Sequence, residues 1–393
     1  MNRRRFLQAI GLASVCGTLP RCLSQSPKKP VQQPNILWTN SEDNSISWVS
    51  CYGSKNCKTP NLDQLAREGF RYTHCFSNAA VCAPTRSTWI TGMYAVSMGT
   101  QPMRSRYNIP QDKVTYFPEK LAEVGYFTGN VGKTDYNIGS RPDNDCWRKG
   151  GGPGKSWDQR KPGQPFFVFM TLGQSHESRA MRTHKNAVKT FVDPDKKVLH
   201  PYHPDLPDVR ETYARYAEAM RLMDEDFGAL MAKLKADGLY EDTIIVYCSD
   251  HGGVLPRRKR FLYSSGIHCP LIIRIPEKWK SLWPAEKPGM TVDRMVSFVD
   301  MPKTWLSLCG AGIPKTYQGT IFLGKDIEPE PAYHLSFRAR RQMRRHGSRD
   351  EGQALRLHQK LHALGAERSA LILYVGPARH QGLGKALSGG QVR

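Results

Sequence analysis

Glu42 and Asp43, Lys133, His176, and the pair Asp250 and His251 stand just past the ends of four short apolar runs, at 35–39, 126–131, 166–172 and 244–248. Carboxylates are ligands for hard divalent cations. Imidazole moves protons near neutral pH, and an ammonium neutralises an oxyanion. Taken singly, each has a plainer reading. An Asp past a strand is usually a turn residue or a helix cap, and a lysine is usually a solvated surface charge. Four such groups, each at the end of a different strand, point to a site, because open α/β sheets gather their ligands at the carboxyl ends of the strands.

The elements that must position these residues are legible from periodicity. The four runs, with a fifth at 271–275, are short and rich in β-branched or aromatic residues, as strands buried on both faces should be. Thr59 and Pro60 can cap and open a helix that carries Leu62, Leu65 and Ala66 on one face and stops at Gly69. A longer helix opens near Pro207 and ends at Gly238. It sets Val209, Tyr213, Tyr216, Met220, Met223, Phe227, Leu230 and Leu234 at three- and four-residue intervals, which reads as core. Alternating strands and helices predict an α/β fold: a mostly parallel central sheet with helices on both faces.

Composition narrows the class. At 39% hydrophobic and 23% charged residues the chain has material for a sizeable core, and 27 prolines and 34 glycines imply many loops. No apolar run reaches the roughly 18 residues of a membrane-spanning helix. The formal charge is +22, a size that suits anionic partners. It is concentrated at the ends: residues 1–29 carry six basic side chains and no acid, residues 337–393 carry twelve basic and three acidic, and the 307 residues between hold only +7. Ten cysteines show no C-x-x-C pair and no zinc-finger spacing, so no disulfide connectivity follows.

Cys82-Ala83-Pro84-Thr85-Arg86 reads C-x-P-x-R. By itself it could be a small buried cysteine ahead of a proline-started helix. It resembles the signature of the sulfatases, in which that cysteine is oxidised to formylglycine. NILWTNSEDN is similar to that family's first strand and acidic pair, SDHG to its later metal motif, and Lys259 to Tyr263 followed by Ser-Ser-Gly to its second active-site lysine segment. The similarity runs in order from 34 to 336 and implies an alkaline-phosphatase-like fold.

A sulfate monoester is an anion, so its hydrolysis needs cations around its oxygens and a positioned nucleophile. The resemblance implies a divalent metal held by Glu42, Asp43, Asp250, His251 and the modified Cys82. The oxygen-rich set favours Ca2+, or Mg2+, over zinc. Arg86 is expected to bind and orient the formylglycine hydrate, and Lys133 and Lys259 to neutralise sulfate oxygens. His176 is expected to protonate or hydrogen-bond the leaving oxygen. A hydrated aldehyde attacks with one hydroxyl and expels sulfate with the other, which a plain hydroxyl or thiol cannot do. Pro84 can open a helix whose N-terminus favours an anion. Glu42 and His251 stand where many members have aspartate and asparagine, and Asp135 where a histidine is frequent, which assigns Asp135 to orienting a lysine or contacting a sugar.

Three regions follow: 1–29, an export signal with an arginine-rich start (Arg3, Arg4, Arg5) similar to the twin-arginine pattern, and a linker; 30–336, the catalytic domain; and 337–393, a basic tail. The tail reads as an out-of-frame or truncated ending in place of the family's C-terminal subdomain, the alternative being a genuine basic extension. The expected activity is hydrolysis of sulfate esters or N-sulfate groups on sulfated carbohydrate by an exported, periplasmic or secreted enzyme. Such an enzyme depends on a formylglycine-generating or sulfatase-maturing enzyme. No nucleic-acid partner and no membrane span in the mature chain are expected. Three other readings remain: a phosphate or phosphonate monoesterase of the same superfamily, an inactive truncated homologue, and a non-enzymatic basic binding protein.

Overall fold

The structure is a computed structural model that describes residues 33–336, apart from 106, 140, 182, 332 and 333, together with the short strand 372–374. The export-signal reading therefore lies outside the described residues. So does nearly all of the basic tail, from which Ile372–Tyr374 pairs antiparallel with His334–Ser336.

An eight-stranded sheet organises the chain. Its strands are β1 (Asn35–Ser41), β2 (Phe70–Phe76), β3 (Phe127–Val131), β4 (Gly152–Pro153), β5 (Phe166–Leu172), β6 (Thr243–Ser249), β7 (Leu271–Arg274) and β8 (Thr291–Ser297). Their order across the sheet is β4-β3-β5-β1-β6-β7-β2-β8. Every pairing is parallel except the two made by β7. All five strands read from the sequence are present within two residues of their expected ends. The short β4, and β2 and β8 on the far side, are additions. β2 (FRYTHCF) and the start of β8 (TVDR) alternate polar with apolar residues, as strands only part-buried do.

The central strands are covered on both faces. Ile36, Trp38, Phe167, Phe169, Ile244 and Val246 belong to one core, while their immediate neighbours Leu37, Phe166, Val168 and Ile245 belong to the other. The two-residue period of a strand accounts for this: with both faces apolar, the run reads as continuous hydrophobic sequence. The first core also takes in Trp89 and Trp305, from helices α2 (Cys82–Thr91) and α6 (Asp300–Leu308). The second is closed by α1 (Pro60–Glu68) and α5 (Pro207–Ala236); the labels α3 and α4 belong to Phe117–Glu123 and Glu177–Ala180. In α5 the expected stripe is core, with Tyr213, Tyr216, Met220, Met223, Phe227 and Leu234 buried. The expected capping at α1 differs. Pro60 opens the helix, but the Thr59 hydroxyl accepts from Ser50 N–H (3.0 Å) instead of capping.

Two further points bear on the sequence reading. The eight cysteines among the described residues are free thiols, and no helix among the described residues is long and apolar enough to cross a membrane.

Candidate active site

Register places the site. Ser41 at the end of β1 sits level with Leu172 of β5 on one side and Ser249 of β6 on the other, and β3 lies beyond β5. The strand ends are flush, so Glu42, Asp43, Lys133, His176, Asp250 and His251 emerge along one rim. The condition the sequence left open, that the four strands be neighbours, is met.

Asp43 is the hub. It is fully buried and its φ of 54° lies in the left-handed region that non-glycine residues seldom occupy. Its N–H donates to Asp250 Oδ1 (3.0 Å) and its carbonyl accepts from the Tyr216 hydroxyl; these bonds hold the unfavourable conformation. Its carboxylate takes Lys259 Nζ on both oxygens (2.9 and 2.8 Å) and the Glu177 N–H (2.7 Å). His251 Nε2 lies 3.0 Å from Asp43 Oδ1 and 3.6 Å from Asp250 Oδ1. One ligand atom from each of Asp43, Asp250 and His251 lies within 4.8 Å of the others, and the same holds for Asp43, His176 and Glu177.

Cys82 is the first residue of α2, a helix buried along its whole length, and is 1% exposed. Its Sγ faces Met103 Sδ at 3.9 Å. One turn on, the buried Arg86 donates to Asn40 Oδ1 (2.9 Å), Lys133 O (3.1 Å), Thr171 Oγ1 (3.3 Å) and Asp250 Oδ2 (3.3 Å). Lys133 reaches Glu42 Oε1 (2.5 Å), with Asp135 Oδ2 at 3.7 Å. Lys259 also meets Glu177 Oε1 (3.1 Å), whose carboxylate is shared with Arg260. The His176 ring nitrogen Nδ1 accepts from Ser178 N–H (3.3 Å), which leaves Nε2 to carry the proton, 3.9 Å from Asp43 Oδ2.

Electrostatics follow from these contacts. Burial opposes ionisation of Asp43, but Lys259 and His251 outweigh it and hold the carboxyl well below the usual range. Burial and Arg86 oppose the charge on Lys133. Cys82, Glu42 and Asp250 outweigh them and raise it. Lys259 is raised in the same way by Asp43, then Cys82 and Glu177. Burial alone would lower His251; Asp250 and Asp43, and less strongly Cys82, push it up to about 10. Position 82 thus sits in the field of both lysines.

The sign of the Asp43–Lys259 pairing can be tested. The folded pKa of Asp43 lies below its value of 3.8 in the unfolded chain, so the stabilisation is present above about pH 4. It is lost as pH falls through the folded value. Lys259→Gln leaves a buried charge uncompensated and is expected to cost about 3–5 kcal/mol at pH 7. The cost shrinks at pH 3, because the variant's Asp43, without its ammonium partner, takes up a proton at higher pH than the parent's does. Urea unfolding at the two pH values measures this, and an equal cost at both would show that Lys259 is not stabilising the carboxylate.

All nine residues singled out from the sequence lie at this rim. Glu42 differs from expectation in detail: its carboxylate is engaged by Lys133, with Arg86 NH2 at 3.9 Å, rather than grouped with Asp43 and Asp250. Sequence reasoning missed Glu177, Asn40, Thr171 and Tyr216. Adjacency to His176 is the only signal for Glu177, and the helical spacing of Tyr216 identifies it as core without revealing its hydroxyl contact.

A mostly parallel α/β sheet with cations and carboxylates massed at the strand ends defines the alkaline-phosphatase-like class of fold. Two solved structures share it. One is "Ps i-CgsB in complex with k-i-k-neocarrahexaose" (TM-score 0.56, 23% identity, covering 78% of this chain and 80% of that one). The other is the phosphonate monoester hydrolase of Agrobacterium radiobacter (0.58, 18%, 77% and 80%). The sulfatase family model matches residues 34–150 and 153–311, and the chain belongs to that family. An ulvan-active sulfatase of Formosa agariphila is 32% identical over 347 residues. That alignment covers 77% of this chain, which spans 56% of the relative's length.

Proposed function

We propose that this chain hydrolyses sulfate esters on sulfated carbohydrate, with Cys82 matured to formylglycine and Ca2+ bound beside it. The observation that carries the reading is the convergence of Cys82, Arg86, Lys133, Lys259 and the Asp43–Asp250–His251 group from separate chain segments. The ulvan-active relative supports a polysaccharide substrate.

The donor set suits a hard cation. Asp43 and Asp250 are wholly buried and their oxygens crowd one point together with His251 Nε2. Lys259, Arg86 and His251 supply balancing charge to these carboxylates; a divalent ion bound there would add to it, with His251 ligating in its neutral form. Asp43, Asp250 and His251 would hold the ion, with Glu42 and the modified residue 82 completing its surroundings. Bound there, it supplies positive charge for the sulfate oxygens.

The protein's own groups divide the remaining work. Arg86, locked by four acceptors, fixes residue 82 at the head of α2. Lys133 and Lys259 both act on position 82 as cations, so charge on the sulfate is neutralised without reorganisation. His176 carries its proton on Nε2 and donates it to the departing sugar oxygen. Asp135, close to Lys133, orients that ammonium. Maturation requires a formylglycine-generating enzyme, and the arginine-rich start supports export to the periplasm or beyond.

Mass spectrometry of the Cys82 peptide tests the nucleophile. Conversion of thiol to aldehyde lowers its mass by about 18 Da, and an unmodified peptide from active protein would overturn it. Aryl sulfate assayed beside aryl phosphate tests the reaction class. Sulfate is expected to be preferred, whereas preference for phosphate would transfer the chain to the monoesterase reading.

A further inference from the structure

Among the hollows of the described surface, two are lined by arginines. In the hollow of about 860 Å3 near Lys189 to Arg215 both arginines are paired, Arg210 to Asp205 and Arg215 to Glu211. The other, of about 420 Å3, is lined by His200, Tyr202, Arg257, Arg258 and Tyr263, and its charges are open. Arg258 is 0% exposed, yet among the described residues no carboxylate lies within ion-pair distance of it. Its NH1 donates to the hydroxyls of Ser45 (3.0 Å) and Ser47 (2.8 Å), its NH2 meets His200 Nε2, and its Nε has no partner. Arg257 likewise has no carboxylate partner among the described residues. Its guanidinium lies over the rings of Tyr202 (4.7 Å) and Tyr263 (4.3 Å), which hold the fork in place.

A buried cation without an anion costs several kcal/mol, and arginine's planar donors match sulfate and carboxylate. Burial and Arg258 push His200 down to about 4, so the imidazole is neutral and Arg257 and Arg258 carry the positive charge of the hollow. Ser45 and Ser47 lie just past Asp43, and Arg258 immediately precedes Lys259. The hollow therefore shares two chain segments with the candidate active site, at the same end of the sheet.

We infer that this hollow is a subsite for a second oxyanion, a sulfate or carboxylate carried on the sugar next to the one that is desulfated, held by the exposed Arg257 with the buried charge of Arg258 behind it. The inference rests on the sulfatase reading for its substrate class. It predicts that the protein prefers oligosaccharides bearing two anionic groups on neighbouring sugars.

Calorimetry on the full chain carrying Cys82→Ala, which cannot consume the probe, tests it. The probes are a disaccharide with one sulfate, the same disaccharide with a second sulfate on its neighbouring sugar, and a third with a carboxylate there. The second anion is expected to tighten binding at least about tenfold. Arg257→Ala and Arg258→Gln should collapse that ratio to within about twofold, with Arg257→Lys keeping part of it. The better of the sulfate and carboxylate probes identifies the group. A ratio near one in the parent, or a ratio that survives both variants, would overturn the subsite. Should Arg258→Gln fail to fold by circular dichroism, Arg257→Ala decides. Aryl sulfate turnover by unmutated protein is scored separately: its absence with the ratio intact removes the sulfatase reading and leaves the oxyanion site.

Discussion

Cys82→Ala is expected to lower sulfate-ester turnover by more than about a thousandfold, while the melting temperature moves only a few degrees. Both halves follow from the geometry. Position 82 is the head of a wholly buried helix and lies in the field of Lys133 and Lys259, with Arg86 fixed one turn on. The side chain does little for the fold, since Sγ makes only weak sulfur contacts, to Met103 Sδ and to the His251 imidazole. Replacing a small sulfur by a methyl group in such a place costs about 1 kcal/mol. Turnover near the parent's level in the variant would reject residue 82 as the nucleophile.

Asp250→Asn has the second large effect, and its readout does not need substrate. The parent protein is expected to melt at higher temperature when Ca2+ is added, gaining about 2.7 kcal/mol at a hundredfold excess over the dissociation constant. In the variant that gain disappears. Asp250 contributes one of two buried carboxylates in the candidate metal group, and asparagine removes its charge. Its Oδ2 accepts from Arg86 at 3.3 Å, so the substituted amide places a donor against a donor when its oxygen stays toward Asp43 N–H. Activity falls in parallel, by about a hundredfold or more. An undiminished Ca2+ shift in Asp250→Asn would place the ion elsewhere.

The strain at the rim fits a site held by its surroundings. Asp43, Asp135, Asn137, Arg257 and Arg260 all have positive φ and all lie in loops that build the site or the neighbouring hollow. Such conformations persist where neighbours over-determine them. Asp43 shows how: Asp250 holds its N–H, Tyr216 its carbonyl, and Lys259 and Glu177 its carboxylate. None of these contacts has a sequence signature, because a turn residue and a strained ligand look alike in one dimension.

The sequence by itself singled out the candidate residues for the chemistry and determined where the five principal strands run and where the long helix α5 starts and stops. These are local properties: apolar runs, helical spacing, proline and glycine boundaries, and short motifs such as C-A-P-T-R. Tertiary structure alone decided the order of the strands, the reversed direction of β7, the flush register at Ser41, Leu172 and Ser249, and the diversion of Glu42 toward Lys133. It also exposed the open charges of Arg257 and Arg258, which in sequence are two residues of a basic run. The physical reason is that pairing and charge balance are set between residues some 40 to 220 positions apart, for instance Arg86 with Lys133 or Asp43 with Lys259. At that separation only the packed sheet brings the partners within reach.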